Sequence, residues 1–283
     1  MPVPPNRRLV LAGAVSLAAT TLTGCGVRLE DDAPDLPFVP RREPIPGEAA
    51  LLAVLGTLRT SDAEHSAARA DRLRAVLEEF RVPATVLDDA SAPTSDAETV
   101  SAFEAAVREC PPGMLRLVGQ LTATHRITSP LGRRTRLWTP AGTAPWDAGQ
   151  VAAATLAGTR AAAYAFDVIA AKATDGLAQD ALTAAQGLQG LAVRQTTAAG
   201  DRAGEVTLGY ERPARLTAST ALEWGKDACE RLLAVHAAGF DGLADDRDAA
   251  LELVQWMVTV ERISRPRFGR PVPELYGDAQ PTT

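Results

Sequence analysis

Histidine, cysteine and aromatic residues are scarce in this 283-residue chain, with three His, three Cys and aromatics at 5%. Few aromatics beside abundant alanine disfavour sheets, whose strands want β-branched and aromatic side chains, and favour closely packed helices. The expected fold class is all-α. No Gly-x-Ser-x-Gly, phosphate-binding glycine loop or dinucleotide fingerprint occurs in a usable context, so hydrolase, NTPase and dinucleotide-dependent chemistry have no motif to rest on.

A hydrophobic run long enough to span a bilayer is also missing near the start. The apolar stretch Leu9–Leu22 has 14 residues and contains Gly13, Ser16, Thr20 and Thr21, whereas a membrane-spanning helix takes about 20 predominantly apolar residues. Arg7 and Arg8 precede it and Leu22-Thr23-Gly24-Cys25 closes it, which is the order of a secretory signal peptide. The closing four residues resemble the lipobox of bacterial lipoproteins, in which the cysteine thiol takes a diacylglycerol thioether and becomes the first residue of the processed chain. The expectation is a signal peptide over residues 1–24 and lipidation at Cys25 with palmitate-type acyl chains. At about 0.8 kcal/mol per buried CH₂, such a tether holds a protein firmly to a membrane. The run Asn6-Arg7-Arg8-Leu9-Val10-Leu11 also looks like a twin-arginine (Tat) export signal, used by proteins that fold before export; two arginines equally supply the basic start of a Sec signal.

Positive charge is in short supply. Residues 1–24 carry Arg7 and Arg8 and no acid, so the remaining 259 residues hold 27 basic and 35 acidic side chains, a formal charge of −8. Nucleic acid is not an expected partner, because phosphate binding needs a concentrated basic surface. The densest basic runs, Arg133-Arg134-Thr135-Arg136 and Arg262 to Arg270, are short and accompanied by proline and glycine.

Prolines at 34, 37, 40, 44 and 46 make residues 25–46 an extended spacer. A helical lobe follows over 47–128, with helices expected after Pro46-Gly47, from Asp62 to Phe80, from Ser95 or Asp96 to Glu109, and from Met114 to His125. A Pro-, Gly- and Arg-rich connection occupies 129–145. From 146 to 265 the pattern gives four helices: Asp147–Thr174, crowded with alanine, then Gly176–Ala199, Leu216–Ala238 and Asp245–Ser264. Short returns would make them an antiparallel four-helix bundle. Residues 266–283, with prolines at 266, 271, 273 and 281, read as an irregular tail that packs near Leu275-Tyr276 and then frays.

Three stretches together resemble a family of actinobacterial envelope lipoproteins with a ferritin-like helical domain of unknown function: Cys25–Pro34 (CGVRLEDDAP), Leu156–Phe166 (LAGTRAAAYAF) and Pro271–Gly277 (PVPELYG). The resemblance implies a ferritin-like bundle in the second half, preceded by the smaller lobe, and a lipid-anchored protein on the outer face of the cell membrane. Where that pattern has an acidic residue followed by histidine, this chain has Thr159 and Arg160.

A ferritin-like di-metal site draws on Glu-x-x-His pairs from two helices, since positions i and i+3 project to one side. The chain has none, and the nearest approach is Asp62-Ala63-Glu64-His65. Glu252 and Glu261, nine residues apart, differ by some 13.5 Å in height on one helix and cannot share an ion. Their helix, like its neighbours, is expected to present Ala and Leu to the core, and no metal or cofactor site is assigned. His236 falls on an apolar stripe with Leu222, Cys229, Leu232, Leu233 and Phe240, where a hydrogen-bonded core residue outweighs a ligand. Cys229 and His236 stand about 10 Å apart along the helix, too far for a nucleophilic pair. With Cys25 lipidated, Cys110 and Cys229 are the remaining thiols, and an exported protein allows them one disulfide between the two halves; the alternative is two separately buried thiols. The function expected is a non-enzymatic binding or structural component of the envelope, with an envelope protein or a small apolar ligand as partner. The alternative is a metal-dependent ferritin-like oxidase or metal-binding protein.

Overall fold

The helix starts are written locally. Ser95 Oγ accepts from the Glu98 backbone N–H and Glu98 Oε2 accepts from that of Ser95, a reciprocal capping box. It opens a helix of 14 residues, Asp96–Glu109. The computed structural model describes residues 42–129, 144–207 and 209–277; residues 1–24, expected as a signal peptide, Cys25 and nearly all of the expected spacer lie outside them, as do 130–143 of the connection. Among the described residues there is no strand, and nine α-helices carry the fold: α1 Glu48–Thr60, α2 Ser66–Glu79, α3 Ala84–Asp88, α4 Asp96–Glu109, α5 Leu115–Thr128, α6 Gly149–Lys172, α7 Asp175–Ala199, α8 Ala218–Gly239 and α9 Arg247–Phe268. This is the expected all-α bundle.

Two boundaries and one short helix differ from expectation. The helix expected from Asp62 starts at Ser66, because His65 sits in the left-handed region (φ 61) and breaks the ladder. The short α3 was not legible. The last helix does not stop before Pro266 but runs two residues past it to Phe268, ending at Gly269 in the left-handed conformation. Proline costs the last turn one backbone hydrogen bond, while Arg267 Nη1 donates to the Ile263 carbonyl at 2.7 Å and Gly269 N closes on the Arg265 carbonyl.

Close contacts, most of them at glycines, fix the directions of the long helices, and for α7 and α9 the Asp180–Arg267 pair at 3.9 Å supplies the second point. A Cβ on Gly158 would meet Leu232 and Val235, and one on Gly239 would meet Val151, so α6 and α8 run antiparallel. Gly239 also faces Leu253 and Gly225 faces Phe268, making α8 and α9 antiparallel; Gly187 faces Ile263, making α7 and α9 antiparallel. With α6 and α7 joined tightly at 172–175, α7 and α8 must be parallel, and their link must travel back along the bundle. The contacts trace it: Arg160 Nη1 donates to the carbonyls of Ala203 at 3.1 Å and Gly204 at 3.3 Å, and Tyr210 lies against Tyr164 with ring centroids 5.5 Å apart. The expectation of short returns throughout is thereby corrected. One long crossover among four helices is the connectivity of ferritin-like bundles.

Helices from before the connection share the core with those after it. A Cβ on Gly119 of α5 would come within 2.4 Å of the Phe240 ring, Arg247 Nη2 donates to the Cys110 carbonyl at 3.0 Å, and Arg116 pairs with Asp241 at 3.1 Å. Pro44 onward is accordingly one compact unit.

Candidate functional site

The interior of the α6–α9 bundle is mostly Ala and Leu, but it contains a layer of polar side chains. Thr155 and Thr159 of α6, Gln195 of α7 and His236 of α8 are each fully buried, and Glu252 of α9 is 5% exposed. The expectation that Ala and Leu alone fill these positions is corrected here.

His236 Nδ1 lies 2.8 Å from the Leu232 carbonyl. A carbonyl only accepts, so Nδ1 carries the proton and donates. Nε2 of the neutral ring is then an acceptor, and the Gln195 amide nitrogen donates to it at 3.2 Å. Burial holds this imidazole neutral, lowering its pKa to about 4. The ring stands edge-on to Trp256, which stacks on Trp146 with centroids 4.4 Å apart. Trp146 comes from the loop before α6, and its indole N–H donates to Glu252 Oε2 at 2.8 Å. Trp256 lies beside the same carboxylate. Burial raises the Glu252 pKa, with the Trp146 hydrogen bond as the main opposing influence.

This arrangement does not fit a di-metal centre. The one imidazole in the layer has its acceptor nitrogen taken by Gln195, its second nitrogen turned back on its own helix, and the carboxylate is held by an indole. Among the described residues no group of three or more His, Cys, Asp or Glu side chains is placed to hold a metal ion. His65 sits near the surface beside Glu64 at 3.6 Å. Glu252 and Glu261 belong to different places: Glu261 is fully buried near Arg270, whose Nη1 is 3.5 Å away.

The proposed bridge between Cys110 and Cys229 is not formed; both cysteines are free and buried. Cys110 Sγ lies 3.8 Å from Arg247 at the start of α9, and Cys229 interacts with Ser264 near the end of that helix. Seventeen residues of helix separate these neighbours, roughly 25 Å at 1.5 Å per residue, far beyond disulfide reach. Desolvation pushes the Cys110 thiol up and that of Cys229 to about 11, so both are inert.

Sequence reading missed Gln195, Trp146 and Thr159 as members of one layer. Nothing in local spacing marks them, since Trp146 and Glu252 are 106 residues apart. Compared with family models, curated proteins and solved structures, the chain matches none of them.

Proposed function

We propose that this chain is an exported lipoprotein held on the outer face of the cell membrane by acyl chains on Cys25, and that its helical body is a non-enzymatic binding or structural component of the envelope. The observation that carries this reading is Leu22-Thr23-Gly24-Cys25 behind a basic and then apolar leader. Among the described residues no helix is long and apolar enough to cross a membrane; in this reading the lipid on Cys25 is what retains the protein. The two groups of the buried layer that chemistry would draw on are already engaged, His236 by Gln195 and Leu232 and Glu252 by Trp146, which supports a binding or structural body, although Thr159 Oγ1, Gln195 Oε1 and Trp256 Nε1 complete no hydrogen bond. Metabolic labelling with a fatty-acid analogue tests the anchoring. The wild-type chain is expected to carry label and Cys25→Ser to lose it; label retained in Cys25→Ser contradicts the proposal.

The second reading, a metal-dependent oxidase, is favoured by the one-crossover bundle and by a polar layer drawing on all four helices. The donor set argues against it, because one engaged imidazole and one indole-bound carboxylate fall far short of the Glu and His complement such centres use.

A further inference from the structure

From Arg270 to Gly277 the chain has no regular structure, yet most of it is buried or half-buried. Arg270, Val272, Leu275 and Tyr276 are each at most 5% exposed. Side chains from distant helices hold its backbone. Arg69 of α2, itself 2% exposed, donates from Nη2 to the Pro273 carbonyl at 2.6 Å and from Nε to the Glu274 carbonyl at 2.9 Å. Gln120 of α5 accepts from the Tyr276 N–H at 2.6 Å. Gly277 closes against Ala234 of α8. Main-chain groups gripped by side chains, with intervening residues buried, is how grooves recognise extended peptides.

The polar end of this segment is poorly satisfied. Arg270 Nη1 stands 3.5 Å from Glu261 Oε1 and its Nε 3.6 Å from Glu230. Neither Arg270 Nε nor Nη1, neither oxygen of Glu261, nor the Tyr276 hydroxyl completes a hydrogen bond. Buried polar groups left in this state oppose closure, and opening would return the guanidinium and the phenol to water. The apolar side chains and the Arg69 clamp favour closure.

We propose that residues 270–277 are a detachable strap, the built-in occupant of a peptide groove lined by α2, α5, α8 and α9, and that the groove accepts in trans an extended segment of the same chemistry. That chemistry is an arginine, a valine between prolines, an acid, and a leucine–tyrosine pair. The proposal goes beyond the anchoring reading and stands or fails without it.

The probe is a fluorescent peptide, GRPVPELYG, copied from residues 269–277, titrated into the full chain and into a variant with Leu275→Ser and Tyr276→Ser. The released variant is expected to bind it, and the wild type at least about tenfold more weakly, because only the strap-open fraction is competent. Adding Arg69→Met to the released variant should abolish binding. A folded variant that does not bind, or equal binding by both proteins, overturns the proposal. Should the variant fail to fold, hydrogen exchange of the wild type decides: the Tyr276 amide is expected to exchange through an opening that leaves the α8 and α9 core amides protected. Exchange of Tyr276 only with global unfolding overturns it.

Discussion

His125 and His236 set the acid response expected of the folded body. His125 stacks on Phe103 with centroids 4.2 Å apart, and burial, reinforced by Arg126, lowers its pKa to about 4, the same value burial gives His236. A depressed folded-state pKa contributes stability that is complete above the unfolded value of about 6.5 and is lost as pH falls toward 4. At about 1.4 kcal/mol per pKa unit, each ring costs about 3 kcal/mol by pH 4. Glu252 and Glu261 work in the opposite sense. Their raised values give stability present below the unfolded carboxylate range and lost as pH rises through the folded values, so they offset part of the acid loss. Urea melts between pH 7 and pH 4.5 should show falling stability, and His236→Gln should flatten that slope by about half; a slope unchanged by His236→Gln contradicts the assignment. The thiols give a second test at this scale. In unreduced but denatured protein, Cys110 and Cys229 should alkylate as fully as they do after reduction, whereas label appearing only after reduction would restore the bridge.

Helices were legible where a local signal exists and illegible where a partner comes from elsewhere in the chain. Ser95 and Asp96 as candidate caps announced α4, the alanine-rich run announced α6, and the four long helices fall within a few residues of expectation. The crossover was not readable, because 200–217 carries no mark of the direction it must travel and its clamp, Arg160, sits on the surface side of a different helix. Of the carboxylates, Glu252 finds Trp146 outside its own helical pattern, whereas Glu261, 3.5 Å from Arg270, completes no hydrogen bond, so the cost of burial that the pattern suggested stands for Glu261 alone. Close packing makes a prediction about glycine. A Cβ at Gly56 of α1 would lie 2.2 Å from the Ser91 carbonyl carbon, while one at Gly190 of α7 would meet nothing within 4 Å. Gly56→Ala should destabilise by about 1–3 kcal/mol through a clash that backbone must absorb. Gly190→Ala should stabilise by about 0.5–1 kcal/mol through helix propensity alone. Chemical denaturation of the two variants checks both signs; a neutral Gly56→Ala would mean that α1 does not pack on that segment.

One core runs through the body from Pro44 onward, and the charged contacts from α4 and α5 to the α8–α9 turn tie its two halves together. In the layer at the heart of the bundle, the imidazole and the carboxylate are held by other side chains of the protein. Gln195 engages His236 and Trp146 engages Glu252, while stability comes from the apolar packing around them. The expectation is therefore a fold that holds without an ion. Thermal melting of protein prepared with excess chelator, beside protein loaded with iron, manganese or zinc, tests that claim most directly. The account predicts melting temperatures that coincide; a stoichiometric metal that raises the melting temperature by many degrees would contradict it and restore the oxidase reading.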